Sequence, residues 1–167
     1  TLLTTSECLL SDNRNDKMNR VEVETYLRSK LHVQRVLWLD YGYLSGDDTD
    51  SHVDTLARFC PNDTIVYVQC CNKEDEHYEA LRRMEDQLLT FRTLDDRPYR
   101  LLPLPVADTI MNNDERLPAT YANFLVINGA VLYPTYNQPG NDMKAADILT
   151  LAFPDREIIG IDCRTLI

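Results

Sequence analysis

The sequence predicts a mixed α/β fold assembled from short ββαβ units, and three observations carry that expectation. Short runs of β-branched and aromatic residues alternate with segments whose apolar residues recur every three or four positions. An Asn128-Gly129 pair between two such runs is the strongest hairpin signal in the chain. Thr55-Leu-Ala-Arg-Phe59 also matches Thr120-Tyr-Ala-Asn-Phe124 at an offset of about 65 residues, which pairs Val66 with Val131 and the two helices that follow. The segment from Thr4 to Leu39 reads as one more unit lacking its opening strand, so the chain holds a little under three copies. Such units cannot cover their own apolar faces and require neighbours.

Thr4 to Leu10 reads as the first strand, ending in the polar turn at Ser11 to Asp16. A helix follows from Arg20 to Leu31, where Asn19 and Glu22 have capping-box spacing and Val23, Tyr26 or Leu27, and Leu31 give an apolar face. Val36 to Leu39 is a short buried strand. After an acidic loop, Val53 to Phe59 reads as a strand, Pro61-Asn62-Asp63 as a turn and Thr64 to Gln69 as a further strand. Glu74 to Arg92 carries apolar residues at His77 or Tyr78, Leu81, Met84, Leu88 and Phe91, an amphipathic helix with acidic residues in its first turn. Pro103 and Pro105 place the strand from Tyr99 to Val106 at an edge or end it early. Ala107 to Pro118 is a polar loop. Tyr121 to Ile127 and Ala130 to Tyr133 flank the hairpin turn, Asp142 caps a helix running to Phe153, and Glu157 to Cys163 closes the chain.

At 167 residues with 44% hydrophobic and 26% charged residues, the composition is that of a soluble globular domain with a sizeable core. The formal net charge of -10 leaves no basic stripe to neutralise phosphates, which excludes a nucleic-acid partner. It suits a small cationic ligand. No run is long enough to span a bilayer and no signal-peptide pattern opens the chain, so no membrane partner is expected. The chain opens on Thr in a strand-like segment, as a piece of a longer protein would. Five cysteines, with Cys70 and Cys71 adjacent, do not form a disulfide framework. Cys8, Cys60, Cys70 and Cys163 sit in apolar surroundings suited to reduced buried thiols, which fits the cytoplasm.

The chemistry concentrates in Gly46-Asp-Asp-Thr-Asp-Ser-His-Val-Asp54, where four carboxylates and one imidazole lie between apolar runs. On a strand from Val53, His52 and Asp54 would share a face. Neighbouring carboxylates favour a protonated imidazole, which suits a proton shuttle near neutral pH. Massed negative charge suits a cationic ligand, although a solvated surface loop has the same composition. A calcium loop starting at Asp48 fails, with Val53 where Gly belongs and Phe59 at the position of the bidentate Glu. A zinc site would need further His or Cys ligands, and His32 and His77 read as ordinary surface or boundary histidines beside helices. Metal is therefore the weaker hypothesis, and no cofactor is expected.

The runs Glu7 to Asn15, Val36 to Leu39 and Gly46 to Phe59 resemble agmatine deiminases and the bacterial-type peptidylarginine deiminases of the guanidine-modifying superfamily. Tyr121-Ala-Asn-Phe124, Asn128-Gly-Ala-Val131 and Phe153-Pro-Asp-Arg156 match as well. The resemblance implies a pseudo-fivefold α/β propeller (pentein) of ββαβ modules, here at about 1–52, 53–118 and 119–167. It also implies a fragment lacking both ends of a chain about twice as long. The implied reaction is hydrolysis of agmatine to N-carbamoylputrescine and ammonia, a step of polyamine synthesis, through a covalent cysteine intermediate. His52 would be general acid and then base, Asp54 would bind the guanidinium through two hydrogen bonds, and Asp48 would border the pocket. Ser51 stands where the family commonly has Gly. The family's nucleophile, in a Gly-rich segment ending His-Cys, has no counterpart here, so the implied nucleophile lies outside the chain. Alternatives are a peptidylarginine or arginine deiminase, or a non-catalytic module that binds guanidinium groups; a homo-oligomer is compatible with all three.

Overall fold

A computed structural model of the chain describes residues 1–15 and 17–167; Asp16, the last residue of the expected polar turn, lies outside them. In order the elements are β1 (Leu2–Thr5), α1 (Ser6–Leu9), α2 (Asp12–Asn15), α3 (Arg20–Leu31), β2 (Val36–Leu39), α4 (Val53–Leu56), β3 (Ala57–Cys60) and β4 (Thr64–Gln69). There follow α5 (Tyr78–Leu88), β5 (Arg100–Pro105), β6 (Met111–Asn112), β7 (Glu115–Arg116), β8 (Leu125–Ile127), β9 (Ala130–Thr135), α6 (Pro139–Ala152) and β10 (Glu157–Asp162). The fold is mixed α/β with several small sheets.

Strand pairing repeats along the chain. In the order β3-β4-β5, β3 runs antiparallel to β4 and β4 parallel to β5, with α5 in the crossover. The order β10-β9-β8 has the same senses, with α6 in the crossover. β1 and β2 are a parallel pair joined through α3, without an antiparallel partner among the described residues. Thr55 and Thr120, equivalent in the sequence repeat, meet directly: the Thr120 hydroxyl donates to the Thr55 carbonyl at 2.7 Å. The main core gathers β4, α5 and α6, where Leu81, Met84 and Leu88 of one helix and Ala145, Leu149 and Ala152 of the other are buried. A second cluster holds Val23 of α3 against Val36 and Trp38 of β2.

Several local expectations change, each for an identifiable reason. The first strand stops at Thr5 rather than Leu10, because the Thr5 side chain accepts the Cys8 N–H and turns the chain into α1. The strand expected from Val53 begins only at Ala57. The N–H and hydroxyl of Thr55 both bond the His52 carbonyl, at 3.1 and 2.7 Å, which winds Val53–Leu56 into one helical turn first. α5 starts at Tyr78 and not Glu74, since Asn72 and Asp75 take the Glu74 and His77 N–H groups into side-chain turns. The polar loop after Val106 contains the β6–β7 hairpin, turned by Asn113 and Asp114 at φ 46 and 69°. The Asn19–Glu22 capping box forms as expected, but Tyr26 and Leu31 of α3 lie exposed. Leu125, not Tyr121, opens β8, and Gly129 carries the positive φ of its turn. The helix expected to be capped by Asp142 starts at Pro139; the Asp142 carboxylate instead accepts the Tyr136 and Gln138 N–H groups and the Tyr121 hydroxyl.

Candidate active site

The acidic loop lines a cleft of about 750 Å³ together with the end of β2, the start of α1 and the first turns of α5. Asp47, Asp48, Asp50 and Ser51 come from the loop, Glu7 from α1, Asp40 from the end of β2, and Glu76 and Glu79 from the approach to α5 and its first turn. Against these seven carboxylates stands one cation, Arg83. Asp40 pairs with Arg20 at 2.8 Å, Glu76 with Arg116 at 3.0 Å, Glu79 with Arg82 at 3.6 Å and Asp50 with Arg14 at 3.7 Å. Glu7, Asp47 and Asp48 have no ion-pair partner among the described residues, and Asp47 Oδ2 is buried without a hydrogen bond. Burial alone would raise the Asp40 carboxyl, but Ser6, Gln87 and Arg20 bonded to it hold it below the usual range. Asp40 therefore stays ionised at neutral pH.

Backbone geometry fixes the loop. Gly42 and Gly46 have φ 104 and 83°, and a Cβ on Gly46 would lie 2.0 Å from the Arg116 carbonyl oxygen, so only glycine fits. Thr49 donates its backbone N–H to Asp47 Oδ1 at 2.9 Å, an Asx turn. Asp50 and Ser51 are both left-handed, at φ 60 and 53°, and the Ser51 carbonyl accepts the Thr5 hydroxyl at 2.8 Å. Ser51 is thus a buried residue in the conformation that suits the glycine the resemblance leads one to expect.

The three sequence-derived site residues separate. Asp48 lines the cleft. His52 caps α4, and its Nε2 accepts at 2.8 Å from Arg14, the guanidinium that also pairs with Asp50. Asp54 accepts from Asn123 Nδ2 at 3.4 Å and lines another cleft with Val53, Ala57 and Arg58. The strand on which His52 and Asp54 would share a face does not start at Val53: His52 is the N-cap at ψ 135° and Asp54 lies in the helical turn that follows. Of the three, only Asp54 acts electrostatically on the buried Cys8 thiol, together with Arg14, Asp50 and Asp47. Burial first, and the three carboxylates next, raise that thiol against the pull of Arg14. Cys70 and Cys163 are likewise raised chiefly by burial, and Cys60 is pushed up to about 11. None of the four is an activated nucleophile. Sequence reasoning missed Arg14, and the expectation of His77 as a surface or boundary histidine is overturned: it is 2% exposed and bonded to Asp75 and Ser45.

The chain matches the Porphyromonas-type peptidyl-arginine deiminase family over residues 1–167. It belongs to this family. Among curated relatives, an agmatine deiminase of Pseudomonas fluorescens is 30% identical over 185 residues, covering 100% of this chain and 50% of that protein. A C. jejuni agmatine deiminase variant solved with substrate bound superimposes with a TM-score of 0.90 at 40% identity, covering 98% of this chain and 47% of the other. A Porphyromonas gingivalis protein whose assignment as an arginine deiminase is itself provisional gives a TM-score of 0.95 at 52% identity, over 98% and 48%. The chain thus spans about half the length of the curated relatives it matches. Among the described residues no helix is long and apolar enough to cross a membrane.

Proposed function

We propose that this chain is part of a guanidine deiminase that hydrolyses agmatine to N-carbamoylputrescine and ammonia. The observation that carries the reading is the charge of the cleft: three carboxylates without an ion pair among the described residues, one with a buried oxygen that accepts no hydrogen bond from them, suit a ligand cationic at both ends. In the proposed mechanism a cysteine thiolate from outside the chain attacks the guanidinium carbon, and His52 gives a proton to the departing ammonia. Water then adds to the thiouronium carbon as His52 takes its proton, and the C–S bond breaks to free the thiolate and the carbamoyl product. Asp54, which lines the second cleft, would hold the guanidinium, and Asp48 would border the acidic one. No cofactor is invoked. The β1–β2, β3–β5 and β8–β10 sets are proposed as modules of a pseudo-fivefold propeller, divided at about 1–52, 53–118 and 119–167.

Peptidylarginine or free arginine is a second reading, favoured by Arg83. Its guanidinium stacks over Tyr41 at 3.9 Å, has no carboxylate partner among the described residues, and lies on the cleft wall where a substrate carboxylate would need a cation. The deciding experiment measures ammonia release by the complete protein from agmatine, arginine and a peptidyl-arginine. Preference for agmatine, with Arg83→Gln changing KM less than about threefold, upholds the first reading. Preference for arginine, with KM raised about tenfold or more by that variant, replaces it. Tight guanidinium binding with no ammonia from any of them would identify a binding module.

A further inference from the structure

Behind the cleft wall lies a buried polar cluster that the proposed chemistry does not use. The His77 ring has two hydrogen-bond partners. The Ser45 backbone N–H donates to Nε2 at 2.8 Å, and Nδ1 lies 2.8 Å from Asp75 Oδ1. A backbone N–H can only donate, so Nε2 carries a lone pair and Nδ1 carries the proton given to Asp75. Asp75 is oriented in turn by the Arg116 guanidinium, at 3.1 and 3.3 Å, and by the His77 backbone N–H at 2.9 Å. The Arg116 carbonyl oxygen meanwhile occupies the space a Cβ on Gly46 would need. Two successive residues at the start of the acidic loop are therefore gripped from behind, one by His77 and one by the strand that carries Arg116.

We propose that His77 is the positioning residue of the candidate site: its unprotonated Nε2 holds Ser45, and with it the loop that presents Asp48 and His52, so that protonating His77 releases the loop. The inference rests on the reading of that loop as the wall of a substrate site. His77 lines no part of the cleft and touches no substrate, so its role is exerted through the backbone. A protonated ring would set an Nε2–H against the Ser45 N–H at 2.8 Å, two donors facing each other in a buried place. The charged groups that face the ring are Asp75 and Glu76, which favour its protonation, and Arg116 from β7, which opposes it. The Tyr43 ring packs 5.5 Å away, and burial, the largest influence, also opposes the charged form. The loop is thereby held at neutral pH and freed in acid.

The test compares the complete wild-type protein with His77→Gln, whose side-chain oxygen can accept the Ser45 N–H without titrating, and His77→Leu, which offers no acceptor. Deuterium uptake in the 43–51 segment, corrected for intrinsic exchange, should rise in the wild type as pH falls from 7 to 5. It should stay flat in His77→Gln and be high at every pH in His77→Leu, with β4 protected throughout. At pH 8, kcat/KM for agmatine should stay within about threefold of wild type in His77→Gln and fall at least tenfold in His77→Leu. Uptake that ignores pH in the wild type, or the same acid transition in His77→Gln, overturns the proposal. Should His77→Leu not fold, the wild-type and His77→Gln arms decide it alone. Uptake is read without substrate, so a protein that releases no ammonia would refute the deiminase reading while leaving this inference to its own measurement.

Discussion

Ser51 holds a left-handed backbone at φ 53° beside Asp50 at 60°, and its carbonyl is fixed by Thr5. A non-glycine residue there costs about 1–2 kcal/mol, partly offset by the extra chain entropy a glycine loses on folding, about 0.5–1 kcal/mol. Ser51→Gly should therefore raise stability by about 0.5–1 kcal/mol, read as a higher urea midpoint. His77 and Asp75 give a pH dependence of fixed sign. Burial, reinforced by Arg116, lowers His77 from 6.5, so the folded state binds fewer protons than the unfolded chain. Stability from this residue is present above 6.5 and declines as pH falls through that value toward the folded one. Burial would raise Asp75, but the His77 N–H and Arg116 outweigh it and lower it from 3.8, so its contribution is lost only in stronger acid. Between pH 7 and 5 the urea midpoint of the wild type should drop more than that of His77→Gln. The composition of residues 46–54 made Asp48, His52 and Asp54 legible as candidates. The helical turn at Val53 was not legible, because the alternation argument assumed extended backbone there. Arg14 and Arg116 were invisible for another reason: their partners lie 38 and 41 positions away, where local pattern carries no signal.

At the scale of elements, the sequence was readable wherever period or capping chemistry ran long enough. α5 buries Leu81, Met84 and Leu88 at helical spacing, β2 and β4 fall on their expected residues, and the capping box opens α3. α1 and α4 were not readable, since four residues span little more than one turn and give no apolar period. Their helical turns are set by single threonines, Thr5 and Thr55, whose oxygens bond neighbouring backbone. The start of α6 depends on a contact that no local pattern announces. Tyr121, fully buried, donates its hydroxyl to Asp142 at 2.7 Å, and that carboxylate also receives the backbone of Tyr136 and Gln138. Burial, the Asp142 bond and its charge all raise the Tyr121 hydroxyl, so it stays a proton donor across the physiological range. Tyr121→Phe should cost about 1–3 kcal/mol in urea unfolding, the range for a buried group left without its partner. A variant as stable as wild type would show that water replaces the lost hydroxyl.

Across the whole molecule, repetition in the sequence became repetition in strand pairing. The same antiparallel-then-parallel arrangement occurs at β3–β5 and β8–β10, and among the described residues β1 and β2 pair with no third strand. The two complete sheets are unequally covered. β4 is buried from Thr64 to Val68, whereas Leu125, Ile127 and Ile161 on the outer strands of the other sheet are exposed. Protection against isotope exchange should follow that inequality. Amides of Ile65 through Tyr67 lie between β3 and β5 with α5 packed above them, and no local opening frees them. They should be the last to take up deuterium, at the rate of global opening, while those of β8 exchange through smaller fluctuations. One strand would then serve as an internal clock for the unfolding of the rest.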